Sequence, residues 1–276
     1  PPETDLHLVD KLIIENSFFS YAYAPENTTS LKIDGSLLLS ANSTLRLTAA
    51  ATNETTTFYG GLLDLSGRDI LIPQGSKIEL VSQPENGGAP LIRCHSLNLA
   101  TGGTIDASGH GYASLNGPGK AGSTYGGGGY GGKGGSSGGG PVYGTPHGPL
   151  FPGSGGHGPG GTPSGGGRGG GLVWIETAEA TIDGNITANG VKGITKSGSG
   201  SGGGVYIACN SFYGNGTISA DGADGNVSAS SGAGGGGGRI AIWTDVPDYT
   251  RLRYWNGITS PVTATPTHKN FYGTLS

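Results

Sequence analysis

Gly171-Leu-Val-Trp-Ile175, Gly204-Val-Tyr-Ile207 and Gly237-Gly-Arg-Ile240-Ala-Ile-Trp243 open three stretches that read alike. The first two are followed by Gly184-Asn-Ile-Thr-Ala-Asn-Gly190 and Gly216-Thr-Ile-Ser-Ala-Asp-Gly222. Ile175 to Ile207 spans 32 positions and Ile207 to Ile240 spans 33. Short alternating apolar strands at a fixed period of this length mark a stacked repeat, whose units bury their apolar faces only against one another.

The pattern extends toward the N-terminus. A small polar turn precedes x-apolar-x-apolar at Asn42-Ser-Thr-Leu45-Arg-Leu47, Gln74-Gly-Ser-Lys-Ile78-Glu-Leu80 and Gly102-Gly-Thr-Ile105-Asp-Ala107. Alternation with period two places Leu45, Ile78, Ile105, Ile186 and Ile218 on one face of successive strands. If each strand stacks on the last, these residues form an internal column of five rungs, and Arg239–Trp243 begins a sixth. The expected fold class is all-β, a parallel β-helix (β-solenoid) with long Gly-rich loops on one face.

The anchors are separated by 33, 27, 81 and 32 positions. The long step contains the Gly-rich insertion 109–171, and shorter Gly-rich tracts occupy 191–204 and 223–238. All three leave after an Ala-x-Gly that closes an anchor strand and return before the next apolar strand. Insertions at one repeat position emerge on one face of a solenoid. Gly/Ser runs are by default flexible linkers. Tyr112, Tyr125, Tyr130, Tyr143, Phe151 and Trp174 are spaced among these glycines, however, and give extended or polyproline-II segments something to pack on. Partial order is therefore the favoured expectation.

Residues 1–30 read as N-terminal strands or a cap, residues 31–245 as the repeat, and residues 246–276 as a C-terminal aromatic cap or docking segment. Open solenoid ends need capping. Tyr249, Tyr254, Trp255, Phe271 and Tyr272 are the expected assembly surface, because exposed aromatic clusters mark interfaces.

Composition narrows the function. Gly accounts for 59 of 276 residues without a G-X-Y period, which excludes collagen. Only 12% of residues are charged and the net charge is −4, so no basic stripe suggests nucleic acid. No apolar run reaches the ~20 residues of a membrane span. The chain has no Met and begins Pro-Pro-Glu-Thr, which suggests processing or a partial chain and fits removal of a secretory signal. Sequons stand at Asn27, Asn42, Asn53, Asn185, Asn215 and Asn226. A chain of this Asn, Ser and Thr content carries roughly three by chance, so six points to N-glycosylation and an extracellular setting. Cys94 and Cys209 occupy the same repeat position with the Ile175 rung between them. That puts their Cα atoms near ~10 Å, beyond the ~7 Å bridging limit, and both are expected buried and unpaired.

Candidate chemistry is sparse. Gly232–Gly238 runs into a strand, whereas a phosphate loop needs a helix or a terminal Lys-Ser/Thr. His147 and His157 lack metal-ligand spacing and read as loop polarity, and no metal or cofactor is expected. Asp64 with Asp69 and Asp221 with Asp224 flank Gly-containing turns, where Asp bonds its own backbone.

On Gly-Thr-Ile-Asp-Ala-Ser-Gly109, Gly-Thr-Ile-Ser-Ala-Asp-Gly222 and Gly-Gly-Gly-Arg-Ile-Ala-Ile-Trp243, the chain resembles the Gly-rich parallel β-helix segments of extracellular surface and filament glycoproteins, similar in architecture to the pectin-lyase-like fold. The resemblance covers residues 31–245. It implies adhesins, appendage glycoproteins or polysaccharide-cleaving enzymes. The enzymes carry clustered Asp, Arg or Lys on one face, and no such cluster is legible here. The first expectation is a secreted, N-glycosylated, non-enzymatic structural subunit whose partners are other copies of itself and N-linked glycans. The alternative is a carbohydrate-active enzyme or glycan-binding module using Asp64, Asp69, Asp106 and Asp183. An ice-binding surface ranks last, for want of Thr-x-Thr ladders.

Overall fold

The computed structural model describes residues 6–8, 11–23, 30–51, 60–162, 164–194, 196–226, 232–246 and 273–276. It is all-β, with one 3-10 turn at Pro159–Gly161 as the only helical element among the described residues. The strands are β1 (Leu6–Leu8), β2 (Leu12–Ile14), β3 (Phe18–Ala22), β4 (Ser30–Ile33), β5 (Leu37–Leu39) and β6 (Thr44–Thr48). Then come β7 (Gly61–Ile72), β8 (Lys77–Val81), β9 (Pro90–Leu99), β10 (Thr104–Asp106), β11 (Leu172–Ile182) and β12 (Asn185–Thr187). The last are β13 (Gly204–Ala208), β14 (Ser211–Tyr213), β15 (Thr217–Ser219), β16 (Arg239–Trp243) and β17 (Thr274–Leu275).

These strands form two parallel sheets. The chain alternates between a 10-stranded sheet, built on the path β1-β4-β7-β9-β11-β13-β16, and a 7-stranded sheet, ordered β3-β6-β8-β10-β12-β15-β17. Each pass through both sheets stacks on the previous pass as one rung. In the large sheet, β7, β9 and β11 each cover a width that other rungs divide between two short strands, such as β4 and β5. β7 shifts register between Leu65 and Asp69, an irregularity that bends a long strand.

The predicted column is present. Leu45, Ile78, Ile105, Ile186 and Ile218 are successive register partners in the small sheet, and each is fully buried. Phe19 and Leu275 extend the column at its two ends. In the large sheet Val173, Ile175, Val205 and Ile207 face the same core. Two details differ from the expectation. Ile207 pairs with Ile242, not Ile240, which pairs with Val205. Residues two apart share a strand face, so apolar spacing alone does not distinguish them. The ladder also begins before residue 31, because β1, β2 and β3 already pair in parallel with β4, β5 and β6. Aromatic Phe18-Phe19-Ser-Tyr21 stands there in place of the aliphatic anchor motif, which hid the rung.

Turn chemistry sets the approach to the small sheet. Asn42, Gly75 and Gly102 hold φ of 63°, 75° and 80°, each two residues before the first strand position. Glycine enters this left-handed region without steric cost, and Asn is among the few other residues that tolerate it.

The two sheets are clothed differently. The outer face of the large sheet carries a second apolar cluster that includes Leu62, Leu91, Trp174, Tyr206 and Trp243, with Leu150 packed against it. The first halves of β7, β9 and β11, together with β13, are therefore covered on both faces, as parallel strands usually are, whereas Ile13, Leu38, Leu71 and Tyr213 stay exposed on the outer face of the other half. The small sheet turns a polar column outward, namely Thr44, Lys77, Thr104, Asn185, Thr217 and Thr274.

Ile105→Ala should destabilise the chain by about 2–5 kcal/mol, the usual cost of such a cavity in a tightly packed column. Outward-facing Thr104→Ala should stay within about 0.5 kcal/mol of the parent. Denaturant midpoints of both variants test the column directly.

Candidate assembly site

The three Gly-rich tracts share one base. Gly171 N–H donates to the Ala107 carbonyl (2.6 Å), Gly203 to Ala188 (2.7 Å) and Gly238 to Ala220 (2.7 Å). Each tract thus starts and ends at the same point of its rung. The bases also stack, since Gly109 N–H bonds the Asn189 carbonyl and Gly190 N–H bonds that of Asp221. All three tracts therefore leave from one flank.

Beyond the base the tracts are ordered by backbone pairing. Gly167 and Gly170 donate to Gly198 and Ser201 (both 2.9 Å), while Ser199 and Gly202 donate to Ala233 and Gly236 (2.9 and 3.0 Å). Running antiparallel, Gly153 and Gly156 donate to Gly170 and Gly167 (2.7 and 2.9 Å). Donors and acceptors both advance three residues at a time. That is the period of a polyproline-II helix, which makes no internal hydrogen bonds and so offers its amides to neighbours. Packing is too close for side chains. A Cβ on Gly200 would overlap the Arg168 carbonyl oxygen, and one on Gly235 would overlap that of Gly200. The aromatics anchor this layer, as expected for Tyr112 and Tyr130, which are buried. Tyr130 lies 4.7 Å from Tyr143 between ring centroids, and Arg239 sits over Tyr130 while donating to the Tyr143 carbonyl. Val142, Phe151, Val191 and Ile194 leave apolar side chains exposed on the layer.

Where the described rungs end, a groove of about 160 Å³ opens beside β16. Ile240, Ile242, Trp243 and Leu275 line it, with Pro146 and His147 of the first tract as its lip. Trp243 Nε1 pins that lip by donating to the His147 carbonyl (2.8 Å). The expected interface residues Tyr249, Tyr254, Trp255, Phe271 and Tyr272 lie outside the described residues, as do Asn27 and Asn53.

The outer face of the small sheet gathers charges that are far apart in sequence. Arg46 Nε meets Glu79 Oε2 at 2.6 Å, and the other Glu79 oxygen meets His110 Nε2 at 2.9 Å. From the same strand as Glu79, Lys77 Nζ reaches Asp106 on the next rung at 3.2 Å, and Asp106 accepts from the Thr187 hydroxyl and the Ser108 amide. Burial opposes ionisation of both carboxyls. Arg46 and His110 outweigh it at Glu79, and the Ser108 amide, Thr187 and Lys77 outweigh it at Asp106, so both are held below their ordinary values. A second cluster lies on the outer face of the large sheet, where Arg93 forms a buried pair with Glu176 (2.6 Å), and Asp64 stands in register with Arg93 on the preceding rung. The absence of charge clusters expected from the sequence is thus corrected. Their paired members lie 29 to 83 positions apart along the chain, where no local motif can register them.

The four carboxylates proposed for glycan chemistry are dispersed. Asp64 and Asp69 lie on β7, Asp106 on the small sheet, and Asp183 in a turn where it accepts from the Asn215 amide at 2.9 Å. His147 and His157 sit in the first tract, and among the described residues no three potential metal ligands converge. Asp221 is bound through its amide to Asn189, and the Asp224 carbonyl accepts from Ser199. Cys94 and Cys209 are free and buried, with the Thr177 hydroxyl beside Cys94. Burial pushes both thiols up to about 12.

Asn42, Asn185 and Asn215 are exposed on or beside small-sheet strands, whereas Asn226 is half-buried. Among the described residues no helix is long and apolar enough to cross a membrane. Comparison with protein families, with curated proteins and with solved structures finds no match to this chain.

Gly200→Ala should cost about 1–3 kcal/mol through overpacking, with increased proteolysis confined to the Gly-rich tracts. A flexible linker would accept the methyl group without effect. Acid provides a second test. With carboxyl values lowered by folding, the stability from Glu79 and Asp106 is complete above the ordinary range near pH ~4 and is lost as pH falls through the lower folded values. Unfolding midpoints of Glu79→Gln should accordingly fall less steeply on acidification than those of the parent.

Proposed function

We propose that the chain is a secreted, N-glycosylated structural protein of the cell exterior, a subunit of an extracellular filament, appendage or coat. In this reading the two parallel sheets are the walls of a β-helix (β-solenoid), and the Gly-rich layer is a stiff flank along one face. Its partners are other copies of itself and N-linked glycans, and it is not an enzyme.

The observation that carries the reading is the parallel edge at each end of the two described sheets. Among the described residues, β16 and β17 end their sheets at one pole, and β1 and β3 at the other. Inward residues are only partly covered at both poles, with Ile240 and exposed Leu275 at one and Leu8, Leu12, Phe19 and Tyr21 at the other. An open parallel edge with uncovered core residues is a template for a further parallel rung. The first rung of a second copy supplies one with the same order of sheets. Such a head-to-tail contact does not close on itself and generates filaments.

The alternative, a carbohydrate-active enzyme or glycan-binding module, draws on the Glu79–Asp106 neighbours. Glycoside hydrolysis needs one carboxyl kept protonated as an acid, and here both are held ionised on a sheet face. The pair serves rung cohesion better than acid catalysis.

Material purified from its source, viewed by negative-stain microscopy, should contain filaments. Ile240→Asp, which places a charge at the open pole, should leave single particles of unchanged secondary structure. A parent chain that stays monomeric at hundreds of micromolar under native conditions would contradict the proposal.

A further inference from the structure

Asn226 opens a sequon, Asn226-Val-Ser228, but its side chain is engaged. Nδ2 donates to the carbonyls of Gly193 (3.2 Å), Ile194 (3.0 Å) and Ser197 (3.3 Å). These carbonyls belong to the tip of the second Gly-rich tract, where Ser197 N–H closes a turn on the Ile194 carbonyl and Lys196 adopts a φ of 60°. Three acceptors around one group admit only the NH2 end of the amide, so its orientation is dictated by its surroundings. The Asn226 backbone is fixed too, with its N–H donating to the Gly232 carbonyl at 2.9 Å. The side chain therefore ties the third tract to the turn of the second.

We infer that Asn226 is a clamp between Gly-rich tracts and carries no glycan in the folded chain, and that Asn42, Asn185 and Asn215 are the acceptors among the described sequons. The acceptor half rests on the reading of the chain as a secreted glycoprotein. The clamp half does not. N-glycosylation joins Nδ2 to the anomeric carbon of a glycosyl pyrophosphate donor, breaks that carbon's bond to the pyrophosphate and releases one Nδ2 proton. At Asn226 this removes a donor from a nest of three carbonyls and drives a bulky sugar into the tip of the neighbouring tract. Glycan and clamp exclude each other. The other three sequons have room. Asn185 points outward from β12 between Thr104 and Thr217. Asn42 lies in an exposed turn, and Asn215 makes one long contact from Nδ2, 3.5 Å to Asp183.

Two arms test the inference separately. In unglycosylated chain made in a bacterial cytoplasm, Asn226→Asp replaces donors by a carboxylate facing three carbonyls. It should lower Tm by about 3–8 °C, while Asn185→Asp shifts it by about 1 °C or less. Should Asn226→Asp fail to fold, Asn226→Ala, which loses the bonds without the repulsion, should fold with a lower Tm. Parent-like melting of both Asn226 variants overturns the clamp. In chain secreted from a glycosylating host, glycopeptide mass spectrometry of the folded fraction should find sugar at Asn42, Asn185 or Asn215 and none at Asn226. Folded chain with sugar at Asn226 overturns the inference. Folded chain bare at all four overturns the acceptor half and the glycoprotein reading with it, while the melting data still decide the clamp.

Discussion

A buried amide left without a partner costs about 1–3 kcal/mol, and a glycine-rich chain has little apolar surface with which to offset it. This constraint governs the whole flank of the molecule. Strand pairing would require side chains to pack on a sheet, and glycine has none. The tracts instead pair their amides every third residue with neighbouring tracts, as from Gly167 and Gly170 to Gly198 and Ser201. The rungs make this possible. Clamping Gly171 to Ala107, Gly203 to Ala188 and Gly238 to Ala220 brings the tracts back to equivalent points, so that the sheets' register becomes the tracts' register. Glycine loses more conformational freedom on ordering than any other residue. The sheets reduce that cost by fixing both ends of each tract.

The sheets divide the remaining work. One half of the large sheet is buried on both faces, and the Arg93–Glu176 pair is enclosed there with its charges matched. Such a pair adds little net stability, but either member alone would be a severe fault, so it enforces register between neighbouring rungs. The small sheet has one apolar face and one polar face. Its outward ion pairs, Arg46–Glu79 and Lys77–Asp106, also join rungs rather than residues within a rung. Cohesion along the stack therefore has three sources: the apolar columns, the cross-rung charges and the Gly-rich layer.

Much of this was legible because parallel stacking repeats its demands. The column from Leu45 to Ile218 could be read from x-apolar-x-apolar strands behind small turns, since each rung must put a branched side chain at the same place. The return points of the Gly-rich tracts could be read for the same reason. Other features had no local signature. Ile242 and Ile240 are equivalent under period-two alternation, and only hydrogen-bond register separates them. The first rung carries aromatics where later rungs carry aliphatics. Glu79 and His110, or Arg93 and Glu176, are neighbours only after an intervening stretch of chain has folded.

By itself, the sequence determined the period, the parallel all-β class, the inward column and the common flank of the tracts. These follow from residue alternation and turn chemistry, which act over a few positions. Tertiary structure alone decided which amides of the glycine tracts pair, which carboxylates meet which cations, and that the Asn226 amide is enclosed by carbonyls while that of Asn185 faces solvent. These depend on distances between segments tens of residues apart, and such distances exist only once the rungs are stacked.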